Sequence, residues 1–118
     1  MKIRFTIDGK ELATATLRDN ATARDFVSLL PVTVKLEDYA NTEKIAYLPR
    51  KLSTDGAPAG SDPSVGDIAY YSAWGNLAIF YKDAPYATGL LQLGRIDSSI
   101  EILRAAPASK VTIERAPK

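Results

Sequence analysis

The chain has no histidine and no cysteine in its 118 residues. The first absence removes the usual general base, the commonest transition-metal ligand and every Ser-His or Cys-His nucleophile. The second removes disulfides and thiolate chemistry, and the two together argue against a zinc site. Charge of one sign is also missing. Fifteen basic and 14 acidic side chains leave a formal net charge of +1, and no run of like charges stands out. Nucleic-acid partners, which need clustered positive charge against phosphate, are therefore not expected. No stretch approaches the roughly 20 apolar residues of a membrane helix. The N-terminus alternates apolar and charged residues where a signal peptide would be apolar. The expectation is a cytoplasmic protein, with a removed export signal as the alternative.

What is present is ordinary globular composition: 46% hydrophobic and 25% charged. A chain of this length buries a core without staples, so residues 1–118 are read as one domain. Ile3, Phe5 and Ile7 alternate with polar residues, the period of a half-buried strand. Asp8-Gly9 supplies a tight hairpin turn. On the return strand Leu12 and Leu17 fall out of phase, and a bulge between them would restore it. Thr22-Ala23-Arg24-Asp25 reads as a capping box opening a helix through Phe26, Leu29 and Leu30, which Pro31 ends. A strand follows at Val32–Leu36, and the short apolar run Ile45–Leu48 reads as a strand or a bend.

Residues 53–66 read as a long loop on composition. After it, Asp67–Tyr71 and Asn76–Tyr81 flank Ala73-Trp74-Gly75 as a hairpin with two apolar faces, the mark of central strands. Leu90–Ile96 gives another strand. Ser98 and Glu101 form a capping box for a second helix that ends before Pro107, and Val111–Ile113 a last strand. Seven or eight strands with two short helices favour a mainly β, closed barrel, which removes open edges.

Two glycine-bearing segments carry no nucleotide signal. Gly56-Ala57-Pro58-Ala59-Gly60 lacks a following Lys-Ser/Thr pair, and Gly89–Gly94 has only two glycines. Glu37 and Asp38 are neighbours on a strand, so they point to opposite faces and do not cooperate as a carboxylate pair. No cofactor and no metal is expected.

The segments Glu37-Asp38-Tyr39, Tyr47–Leu52, Gly66–Tyr71, Trp74–Tyr81 and Leu93-Gly94-Arg95-Ile96 resemble a prokaryotic family of small cyclophilin-like-fold proteins, distantly similar to the cyclophilin peptidyl-prolyl isomerases. The resemblance implies a closed eight-stranded barrel with a helix at each end. It also implies that Arg50 falls near the arginine with which cyclophilins polarise the prolyl amide, although no histidine precedes it.

Three functional readings follow. The first is a binding module, with Tyr47, Arg50, Tyr71, Trp74, Asn76 and Tyr81 around a cleft. Arginine beside aromatics suits a small anionic ligand, because its planar fork pairs with carboxylates; a proline-containing peptide is the other occupant. The second is a weak isomerase centred on Arg50. The third is an interaction protein without a pocket. Against these stand structural roles: Arg50 hydrogen-bonding the long loop or pairing with Glu37 or Asp67, Trp74 packing over the barrel mouth, tyrosines filling the core, and Asn76 capping the hairpin turn. Oligomeric state is not legible.

Overall fold

The computed structural model describes residues 1–98, 100–105 and 109–116. Eight strands close an antiparallel barrel: β1 (Lys2–Ile7), β2 (Lys10–Leu17), β3 (Val32–Tyr39), β4 (Glu43–Tyr47), β6 (Asp67–Tyr71), β7 (Asn76–Phe80), β9 (Leu90–Ile96) and β10 (Ser109–Arg115). Around the barrel the order is β1-β10-β3-β4-β7-β6-β9-β2. The remaining strands, β5 (Gly60–Ser61) and β8 (Ala87–Thr88), pair with each other outside it. The helices are α1 (Ala21–Ser28) and α2 (Glu101–Ala105). Neither is long and apolar enough to cross a membrane. The expected Pro107 stop lies outside the described residues.

Local chemistry sets the pieces. Asp8 and Gly9 both take positive φ, as a tight hairpin turn demands. In the next strand the pairing of Phe5 with Ala13 steps to Thr6 with Glu11, leaving Leu12 as the extra residue. That bulge turns Ala13, Ala15 and Leu17 inward. A second slip pairs Ile68 with Gly94 and then Ala69 with Gln92, which lets both Leu93 and Ile96 face the core. Gly94 is required at this seam: a Cβ there would meet the Thr16 carbonyl oxygen at 2.2 Å.

One expectation is corrected. The cap of α1 is Asn20, whose side chain accepts from the Ala23 N–H at 2.8 Å. Thr22, expected to cap, is buried, and Asp25 looks elsewhere.

Ile3, Phe5, Ile68, Tyr70, Leu77, Ile79, Leu93 and Ile113 fill the barrel. Tyr70 is fully buried, and its hydroxyl accepts from the Leu52 N–H at 3.0 Å. The outer faces of β4, β6, β7 and β9 are apolar too. Ile45, Ala69, Ala78, Phe80 and Leu90 make a second, smaller cluster outside the barrel. The central hairpin therefore has two apolar faces, as its residues imply.

Candidate functional site

Strand alternation decides which side chains meet outside the barrel. On β7, Leu77 and Ile79 point inward, so Asn76, Ala78 and Phe80 point out. On β6, Tyr70 points in and Tyr71 out. The Trp74 loop closes through Trp74 and Gly75 N–H groups donating to the Tyr71 carbonyl at 3.2 and 2.9 Å. Gly75 takes φ +70° there. The turn throws the indole back over the outer face. Trp74 packs edge-on against Tyr71, with ring centroids 5.4 Å apart, and against Tyr39 at 5.5 Å.

The opposite wall is the 82–88 segment. Its Ala84 N–H donates to the Pro63 carbonyl at 3.1 Å, and Asp83 accepts from the Val65 N–H at 2.8 Å. The β5–β8 ribbon completes the tie. The long 53–66 loop thus contains a short strand, and its second half braces this wall.

Between the two walls lies a cavity of about 300 Å³. Phe80, Leu90 and Asn76 line it from the sheet, Tyr39, Tyr71 and Trp74 from one side, and Pro85, Tyr86 and Ala87 from the other. Glu43 is the one acidic side chain among the described residues that line it. Burial, with the Asp38 charge second, pushes the Glu43 carboxyl above its ordinary range. Among the described residues it has no hydrogen-bond or ion-pair partner. Asn76 is 1% exposed. Its Nδ2 donates to the Leu77 carbonyl at 3.3 Å, while its buried Oδ1 has no partner.

Of the six residues read as a site, the structure brings three together: Tyr71, Trp74 and Asn76. Asn76 does not cap the turn, which backbone bonds close, and Trp74 covers the outer face instead of the barrel mouth. Tyr47 is exposed on β4 beside the cleft but outside its lining. Tyr81 is buried at the barrel end. There its hydroxyl donates to Asp38, and Arg104 sits 5.5 Å from its ring centroid. Burial, then Asp38, pushes its phenol up to about 12.

Arg50 is held on the α1 side. Its Nη1 and Nη2 donate to the two Asp25 carboxylate oxygens at 3.0 and 2.8 Å. Further bonds reach Ser28 Oγ at 3.0 Å and the Lys51 carbonyl at 3.1 Å. Asp25 also accepts from the Ser53 N–H at 2.7 Å. The Arg50 hydrogen bonds first, and the Ser53 amide second, hold the Asp25 carboxyl down to about 2. Arg50 therefore pairs with neither Glu37 nor Asp67. Asp67 takes Arg95, at 3.0 Å, and Glu37 takes Lys35, at 3.2 Å. The guanidinium expected beside the aromatics is spent on a helix-to-loop clamp, so the arginine-plus-aromatic grouping does not form. Sequence reading missed Tyr39, Glu43 and Tyr86. The signal available for two of them was an aromatic at a chain reversal, Tyr39 before Ala40-Asn41 and Tyr86 after Pro85.

A sealed eight-stranded antiparallel barrel with a helix at each end is the cyclophilin-like architecture that the sequence resembles. The chain belongs to the cyclophilin-like family, whose profile matches residues 5–114. A hypothetical protein from Archaeoglobus fulgidus, solved in solution, superposes with a TM-score of 0.69 over 98% of this chain and 95% of its own, at 22% identity. That likeness concerns the fold. A search of curated proteins returns no significant match.

Proposed function

We propose that this protein is a non-catalytic binding module whose site is the outer cleft under Trp74. The carrying observation is the cavity of about 300 Å³, lined mainly by aromatic, proline and aliphatic side chains around a few polar groups. That is the common make-up of sites for small organic ligands or single side chains. Four of the five Arg50 N–H donors already have acceptors, which favours binding over prolyl isomerisation. Among the described residues no lysine or arginine lines the cleft, which disfavours the anionic ligand that Arg50 implied. The occupant is a compact, largely apolar group, free or carried on a peptide.

The test is a titration of ¹⁵N-labelled protein with a panel of neutral, cationic and anionic organic fragments. Perturbation gathered on the Trp74 indole N–H and the amides of Tyr71, Asn76 and Leu90 supports the reading. Hits gathered around Arg50 and Asp25, or no hits, overturn it.

A further inference from the structure

The cleft combines three features that answer one ligand chemistry. Tyr39 and Tyr71 each stand nearly perpendicular to the Trp74 indole, at 81° and 75°. Ring faces carry negative potential, and aromatics set at angles around one hollow present more than one π surface to a cation. At the same hollow Glu43 adds a carboxylate that has no ion-pair partner among the described residues. Asn76 adds a buried carbonyl oxygen without a donor, on the strand face that looks into the cleft. The nearest lysine on this strand, Lys44, alternates to the barrel side and pairs with Asp38 at 3.9 Å, so it leaves the Glu43 charge unanswered in the cleft. The rest of the lining is apolar and suits methyl groups but not a strongly hydrated ion.

We propose that the Tyr39–Tyr71–Trp74 cleft, with Glu43 at its edge, selects an alkylated ammonium group. The proposal rests on the cleft being the binding site and names the chemical class it takes. A bare ammonium would lose hydration that this lining does not replace. A methylated ammonium has little hydration to lose and fills the apolar walls. A small quaternary amine and a trimethyllysine side chain offer the same group from different sources.

The test compares choline with its uncharged carbon isostere, 3,3-dimethylbutan-1-ol, by Trp74 fluorescence and ¹⁵N shifts on the full chain. Choline is expected to bind about tenfold tighter, within the range of cation–π and charge contributions. Glu43→Gln and, separately, Tyr39→Leu should each weaken choline several-fold more than they weaken the isostere. Tyr39 is 42% exposed, so its replacement tests the π contribution even if Glu43→Gln disturbs folding. A second arm compares one peptide carrying lysine or trimethyllysine. Tighter binding of the modified peptide than of choline assigns the peptide source, and the reverse assigns the free amine. Equal binding of choline and the isostere, or fragment hits in the cleft with none from choline and the trimethyllysine peptide, overturns the ammonium proposal and leaves the cleft reading standing. Fragments that avoid the cleft altogether remove both.

Discussion

Replacing Tyr70 by phenylalanine isolates one buried hydrogen bond. The ring stays in the core, but the hydroxyl that accepts from Leu52 N–H at 3.0 Å is lost. Tyr70 is 1% and Leu52 5% exposed, so water does not readily take over the orphaned donor. Leaving one buried donor unsatisfied costs about 1–3 kcal/mol. With a urea m-value near ~1.5 kcal/mol per molar, the midpoint should fall by about 0.7–2 M. The melting temperature should drop by roughly 4–12 °C. Tyr81→Phe is the matched control. It also deletes a hydroxyl, but its partner Asp38 is 46% exposed and can be hydrated again, so its cost should stay under about 1 kcal/mol. Amide exchange at Leu52 should quicken in the Tyr70 variant alone. Equal costs for the two variants, or a Tyr70→Phe midpoint within error of the parent, would refute the argument that burial of the donor sets the penalty.

The Asp25 carboxyl, held to about 2, contributes stability that is fully present above its unfolded value near ~3.9 and is lost as pH falls through about 2. Melting curves should show Asp25→Asn less stable at pH 7 and flatter between pH 4 and 2; a parallel offset at every pH would contradict this. Glu43 has the opposite sign, because burial raises its carboxyl and the ionised form is the strained one. Glu43→Gln should therefore raise the melting temperature by about 1–3 °C at neutral pH, with the gain fading in acid; a loss of stability at pH 7 would show that the carboxylate has a partner. Gly60 and Gly94 each bring a new Cβ within 2.2 Å of a carbonyl oxygen, that of Ala87 and that of Thr16. Gly94→Ala should cost more than about 3 kcal/mol because it parts β2 from β9 in the barrel wall. Gly60→Ala should part only β5 from β8, cost a few degrees, and unprotect Ser61 and Ala87 in hydrogen exchange. Similar losses for the two would mean that the outer ribbon is integral to the barrel.

The barrel was legible because its signals are local. Alternation at Ile3–Ile7, the Asp8-Gly9 turn and the doubly apolar hairpin around Trp74 each fix a strand and its facing. Even the out-of-phase pair Leu12 and Leu17 forecast a bulge, since facing obeys a strict period of two. The site was only half legible. Tyr71, Trp74 and Asn76 are close in sequence and share one hairpin, so the same alternation that placed the strands placed them. Arg50 was misassigned because its partner is chosen by geometry across 25 positions, and three candidate carboxylates compete for it. Only the docking of α1 selects Asp25. Glu43 and Tyr86 reach the cleft through β4 pairing and a wall braced by the 53–66 loop. No periodicity in the sequence reports such contacts.

The strands under the cleft serve two interiors at once. Inward residues such as Leu77 and Ile79 fix their register by packing the barrel, whatever lies on the other side. The cover is a separate piece, attached by a two-residue ribbon and a few backbone bonds. Exchanging residues in segment 82–88 or around Tyr39 should therefore retune what the hollow accepts while the cylinder beneath stays unchanged.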